Sequence, residues 1–328
     1  MTSRRIFLAG IASLVATPLV ARAQPAPQSP RGWRIGFLRF TSTPANAFIV
    51  EAFRRGLREL GYVEGQNVTI EYRTADGKPE RLLAAVSELL ELNVDVIVTA
   101  GTQATLTAKT ATRTVPIVMG ATSDAVATGL VASLARPAGN VTGLTLITPE
   151  LSGKRLGLLK EALPSILKVG IVWNPDNPPR AFEYKETAAG ARALGLTLES
   201  IVVRRSADVD TGFAAVTRGY ALIVFMDPIT LESRARILEL AVKQKLPTIC
   251  GGREFAEAGC LISYGPDLAS LYHRAAFFVD RILKGTKPAD LPVEQPTKFE
   301  LVINLKTAQV LGLKIPSSLL LRADQIIQ

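Results

Sequence analysis

The sequence predicts an α/β chain folded as two doubly wound parallel-sheet lobes that face each other across a cleft. Three observations predict it. Short apolar runs alternate with amphipathic stretches at roughly 25–30 residues per unit, the spacing of parallel strands joined by helical crossovers. The runs are apolar enough for strands covered on both faces. The pattern also ends near residue 150 and starts again near 168, and 328 residues are too many for one ordinary core.

The elements follow in order. "RIGFLRF" at 34–40 is a short apolar strand. "NAFIVEAFRRGLRELG" at 46–61 places Phe48, Phe53, Leu57 and Leu60 on one helical face, with Gly61 as its stop. "VTIEYRTA" alternates as a strand does, and "PERLLAAVSELLELN" opens a helix with Pro79 in its first turn. "DVIVTAG" reads as strand, "TQATLTAKTATR" as helix and "PIVMG" as strand. A helix is expected over 126–134, then the turn "RPAGN" and the strand "VTGLTL". In the second half, "KVGIVWN" is a strand, "WNPDNPP" a turn, and "AFEYKETAAGARALG" a helix stopped by Gly195. "TLESIVVR", "ALIVFMD", "PTICG" and "CLISYG" are strands. The segment through "GFAAVTRG" and "LESRARILELAVKQK" are the helices between them. "DLASLYHRAAFFVDRILKG" is a long helix closing at Gly285, and the tail mixes a strand with short helices. The expected units are 33–148 plus about 266–290 for the first lobe and 149–265 plus about 291–328 for the second.

The N-terminus reads as an export signal over 1–23: Arg4 and Arg5, a modest apolar run broken by Pro18, and a small-x-small site at Ala21-Arg22-Ala23. The order Ser3-Arg4-Arg5-Ile6-Phe7-Leu8 resembles a twin-arginine motif. No cysteine follows the apolar run, which argues against a lipid anchor. A Pro-rich lead-in occupies 24–32, and the expected compartment is the periplasm. Net charge is +9, but three of the 38 basic residues sit in that leader, leaving 35 against 29 acids. They are scattered, with no basic run carrying interleaved aromatics, so nucleic acid is not an expected partner. Cys250 and Cys260 could pair in an oxidising compartment, but the expectation is two buried thiols.

Catalytic signatures are missing. The one histidine, His273, falls inside the long helix rather than at a strand end. There is no G-x-S-x-G, no H-E-x-x-H, no Cys/His cluster, and no Gly-rich dinucleotide or phosphate loop after the first strand. Neither a cofactor nor a metal is called for. Ligands of doubly wound sheets sit outside the carboxyl ends of the strands. Those ends carry Phe40, Thr41, Ser42 and Thr43, then Gly101, Thr102 and Gln103, then Thr122, Ser123 and Asp124, then Thr145. In the second half they carry Asn174, Met226 and Asp227, then "GGR" and "YG". The first set is rich in hydroxyls where helices begin, a setting that holds an anion through backbone N–H groups. Thr102 and Ser123 are thus either lining for a ligand carboxylate or plain N-caps. Asp227 either meets a ligand ammonium or caps the helix after Pro228. Phe40 and Met226 would supply apolar walls.

The segments "GLRELGYVEGQNVTIEYR", "LARPAGNVTGLT", "YKETAAGARALGL" and, above all, "SYGPDLASLYHRAAFFVDRILKGTKPADLPVEQPTKFELVINLKTAQVLGLKIPSSLLLRADQII" resemble the ABC transporter substrate-binding proteins related to tryptophan- and tyrosine-binding members. The resemblance runs from about Trp33 to the C-terminus. It implies a type I periplasmic binding protein fold without catalysis, probing a small organic ligand for an inner-membrane permease and its ATPase. It implies ligand-lining loops at Gly101-Thr102-Gln103, at Thr122, Ser123 and Asp124, and at Asp227. The expected ligand bears a carboxylate and is an aromatic amino acid or aromatic acid; the expected state is a monomer. Hinge crossings are expected near 147–151 and after Gly265. Three departures stand out: Ala138 where glycine is usual in the turn, His273 where arginine is common, and the two cysteines. The alternatives are a sensory binding protein, an exported oxidoreductase, and a repressor-like sugar-binding core.

Overall fold

A computed structural model describes residues 32–41, 44–146, 148–216 and 219–328. The leader, all of the lead-in but its last residue, Ser42, Thr43 and Ile147 lie outside the described residues. The first unit runs β1 (Trp33–Arg39), α1 (Ala47–Glu59), β2 (Val68–Thr74), α2 (Leu82–Glu91), β3 (Val96–Ala100), α3 (Thr102–Ala111), β4 (Ile117–Ser123) and β5 (Val141–Leu146). Its five strands lie in the order β2-β1-β3-β4-β5, all parallel. Burial explains the composition: β3, β4 and β5 are buried at every position, so an apolar run carries no alternation.

The chain then crosses to α4 (Thr148–Ala162), β6 (Lys168–Trp173), α5 (Pro178–Ala193), β7 (Thr197–Val202), α6 (Val209–Ala214), β8 (Tyr220–Val224), α7 (Pro228–Glu232), α8 (Arg234–Lys243), β9 (Thr248–Cys250), α9 (Arg253–Glu257) and β10 (Ile262–Gly265). It returns to the first unit as α10 (Leu268–Leu283), which packs on α1 and over β4; the Tyr62 hydroxyl donates to Asp280 Oδ1 at 3.0 Å across that contact. After α10, Glu294 pairs with the β5 backbone before the chain crosses once more. It ends as β11 (Glu300–Asn304), α11 (Leu305–Leu311), α12 (Ser317–Leu320) and β12 (Gln325–Ile327). The second sheet has seven strands in the order β12-β11-β10-β9-β8-β6-β7. Among the described residues only its β10–β11 pair is antiparallel, β11 arriving from the opposite lobe.

Several local expectations change. No helix forms over 126–134; the segment is a run of turns, with Asp124 Oδ1 accepting from the Ala127 N–H in place of a helical ladder. "WNPDNPP" is not wholly a turn: Pro178 and Pro179 open α5, where a missing N–H costs nothing. The helix expected over "LESRARILELAVKQK" is two, broken at Ser233. Ala138 adopts φ +57°, a left-handed conformation that glycine takes without strain.

Cys250 and Cys260 are bonded, against the expectation of two thiols. Short α9 folds back and brings their Cα atoms to 6.6 Å. The bond closes a small loop, so replacing both cysteines by serine is expected to destabilise by about 3 kcal/mol. Thermal unfolding of the double variant checks this, and an unchanged midpoint would show that the loop is held by its packing alone.

Candidate functional site

The carboxyl ends of both sheets open on one cavity between the lobes. A concave, mainly apolar cavity of this kind takes small molecules. Its walls are mainly apolar: Phe40 and Leu146 from the first unit, Met226 and Leu231 from the second, Leu268 and Tyr272 from α10. Tyr272 packs closely on β4 because Gly120 has no side chain; a Cβ there would collide with a ring carbon. Burial pushes the Tyr272 hydroxyl pKa up, and Arg39 nearby pulls it back. It therefore stays a neutral donor and acceptor.

Seven of the twelve residues expected from strand ends line this cavity: Phe40, Thr41, Gly101, Thr102, Ser123, Met226 and Asp227. Neither Thr102 nor Ser123 is an N-cap. Thr102 is the first residue of α3, and its Oγ1 accepts from the Ser123 backbone N–H at 3.1 Å, which ties the ends of β3 and β4 together. The cap position is Gly101, at φ +95°, and no side chain caps the helix. The start of α3 therefore keeps unpaired N–H groups at the cavity wall. A side chain at Gly101 would be strained, and its Cβ would stand 3.3 Å from Pro228 of the other lobe.

Asp227 does cap α7: Oδ1 accepts from the Ile229 N–H at 2.8 Å, and its own N–H donates to Thr230 Oγ1 at 3.0 Å. It also faces the cavity, and Oδ2 accepts from Asn177 Nδ2 at 2.6 Å. A carboxylate only accepts, so the Asn177 amide is oriented with its Oδ1 free; that buried oxygen has no partner among the described residues. Burial pushes the Asp227 carboxyl up, while Asn177, the Ile229 N–H and Arg180 pull it back.

The other five are not among the lining residues and are engaged in hydrogen bonds around it, Asn174 also with the Asp227 carboxylate. Gln103 Nε2 donates to Asp176 O at 3.1 Å at the exposed rim. Thr122 donates to Met119 Sδ, and Asp124 accepts from Ala127. Thr145 Oγ1 accepts from the Ala125 N–H and donates to Thr122 O, and Asn174 Oδ1 accepts from the Asp176 N–H. Arg39, Asn46, Asn177 and Tyr272 line the site without having been expected there.

Behind Asn177 lies a buried charge cluster. Arg180, one turn into α5, donates to Glu183 and, across the lobe boundary, to the Ser123 hydroxyl. Arg155 of α4 donates to the other Glu183 oxygen at 3.2 Å and to Tyr264 O at 2.9 Å. All three side chains are essentially inaccessible. Burial pushes the Glu183 carboxyl up against the pull of both arginines, and it pushes the Arg155 guanidinium down. The lobes also meet where Arg234 Nη2 donates to Ala45 O at 2.7 Å and Nη1 to Asn46 Oδ1 at 3.3 Å. His273 is remote: on α10 it meets Glu59 at 2.8 Å near the surface. Among the described residues no cluster of His, Cys, Asp or Glu could hold a metal, and no helix is long and apolar enough to cross a membrane.

A family model described as ABC transporter substrate binding protein matches residues 34–327. A tyrosine-binding protein of Clostridioides difficile is 26% identical over 282 residues, 85% of this chain and 81% of that one. Among solved structures, the ABC domain in complex with L-Trp from Streptococcus pneumonia is 29% identical with a TM-score of 0.81, over 90% of this chain and all of that one. A conserved domain protein from Vibrio cholerae is 28% identical with a TM-score of 0.85, over 90% of this chain and 99% of that one.

Proposed function

The chain belongs to the family of ABC transporter substrate-binding proteins, and from that premise we propose that it is the exported binding component of an importer. It closes its two lobes around one aromatic amino acid and presents it to an inner-membrane permease driven by an ATPase. One observation carries the ligand class: the cavity has mainly apolar walls and two polar sets of opposite character. The first is a donor set, with Thr102, Ser123 and the uncapped start of α3. It suits a carboxylate, which helix N-termini hold without a full countercharge. The second is an acceptor, the Asp227 carboxylate, and it suits an ammonium group. Phe40, Met226, Leu231 and Tyr272 supply the apolar walls that an aromatic side chain requires. The tyrosine-binding relative and the L-Trp complex support the same class. The leader-like N-terminus supports export.

The test is thermal unfolding of the refolded mature protein against L-tryptophan, L-tyrosine, other amino acids, aromatic acids, short fatty acids and sugars. A ligand present at a hundred times its Kd stabilises by about 2.7 kcal/mol, a readable shift in midpoint. Refolding first removes any co-purified ligand. A shift with L-tryptophan or L-tyrosine is expected. A shift with sugars alone would keep the binding role and overturn the ligand class.

A further inference from the structure

We infer that Arg180 is a positioning residue for an anionic group on the ligand: from the second lobe it holds the Ser123 hydroxyl of the first and leaves that hydroxyl's proton for the ligand. The inference rests on the closing, carboxylate-binding role proposed above.

Geometry comes first. Arg180 is buried on α5, directly behind cavity-lining Asn177, and donates across the lobe boundary to Ser123 Oγ. A hydroxyl whose oxygen accepts from a guanidinium keeps its proton for another acceptor. Ser123 lines the cavity and its N–H is already given to Thr102 Oγ1, so the free proton is the hydroxyl's. Arg180 thus turns Ser123 from an undecided hydroxyl into a donor at the anion end of the site.

Charge comes second. Arg155 and Arg180 share Glu183, and Arg180 also lies in the field of buried Asp227, so two guanidinium groups face two carboxylates. Arg180 Nε and Arg155 Nη2 are buried without hydrogen-bond partners among the described residues. An arginine cannot shed its proton to escape this burial. An anionic ligand group beside Ser123 gains from the Arg180 field in a region that excludes water; a neutral or purely cationic ligand does not.

The experiment compares the refolded mature protein with Arg180→Met, Arg180→Gln and Arg180→Lys. L-tryptophan and L-tyrosine are compared with tryptamine and tyramine by titration calorimetry. Wild type and R180K should prefer the amino acid by at least about tenfold, and R180M and R180Q should lose most of that preference. R180Q retains a donor for Ser123, so its loss of preference separates charge from hydrogen bonding. An undiminished preference in both R180M and R180Q would overturn the inference. Without ligand, thermal unfolding of Arg180→Met, Ser123→Ala and the double variant reads the contact itself: losses that do not add are expected, and strictly additive losses would overturn the inference. If neither amino acid binds wild type, the ligand class proposed above falls, and the unfolding cycle still decides on Arg180.

Discussion

Asp227→Asn is expected to weaken amino-acid binding by about tenfold to a hundredfold while raising the unfolding midpoint of the ligand-free protein. The binding loss follows from hydrogen-bond direction. An ionised Asp227 accepts at both oxygens and takes the Asn177 NH₂, which leaves the buried Asn177 Oδ1 without a partner among the described residues. An amide at position 227 keeps one oxygen, which the Ile229 N–H holds, and turns an NH₂ toward Asn177. Asn177 then flips to accept it, and the cavity wall loses the Asp227 charge. An ammonium loses a charge-assisted partner, worth about 1.5–3 kcal/mol. The gain in stability follows from burial. Asparagine caps helices as well as aspartate, so α7 keeps its start, and a buried charge is removed. The pH dependence fixes the sign. The Asp227 carboxyl is pushed up in the folded protein, so wild type loses stability as pH rises from the ordinary carboxylate range to the raised folded value. The variant's advantage should be present at neutral pH and shrink as pH falls into that range. Titration calorimetry with L-tryptophan or L-tyrosine, and thermal unfolding against pH, check both halves. Equal binding by the variant would remove Asp227 from the ligand site.

The order of strands and helices was legible because each apolar run ends at a glycine, a proline or a capping residue. What was not legible depended on partners distant in sequence. The direction of β11 is set by the third crossing between lobes, which no local pattern encodes. The break at Ser233 goes with Arg234 reaching back to Leu231 O and across to Ala45 O. The stretch 126–134 has helical composition, yet it is held by Asp124, Thr128 and the β5 edge as a set of turns. The disulfide required knowing how sharply α9 folds back.

In the site, strand ends put Phe40, directly after β1, Gly101, directly after β3, and Asp227, three residues past β8, at the cavity wall. Asp124 and Asn174 follow β4 and β6 just as directly, and Thr145 lies within β5, yet their side chains are engaged in hydrogen bonds beside the cavity instead of lining it. Asn177 and Arg180 were hidden because "NPP" reads as a turn; a proline pair at N1 and N2 of a helix was the available signal. Tyr272 comes from a helix that follows the second lobe in sequence and covers the first in space. Only the chain crossing reveals it.

Glu183→Ala is expected to destabilise the ligand-free protein by about 3–5 kcal/mol, the cost of leaving a buried ion without its partner. Here two ions are left. Arg155 would retain Tyr264 O, and Arg180 would retain the Ser123 hydroxyl, neither of which carries charge. The two guanidinium groups, no longer separated by a carboxylate, would repel each other in a region that excludes water. Glu183→Gln should fall between, since an amide oxygen still accepts from one arginine while its NH₂ opposes the other. The decisive comparison adds a second change. If surplus charge is the cause, Arg180→Met on the Glu183→Gln background should recover stability, whereas Arg180→Met alone should cost little, because Arg155 and Glu183 remain as a matched pair. If packing around α4 and α5 is the cause, the two losses should simply add. Denaturant unfolding of the single and double variants separates these outcomes: recovery in the double variant identifies the cluster as a charge-coupled unit, and additivity makes it an ordinary piece of core.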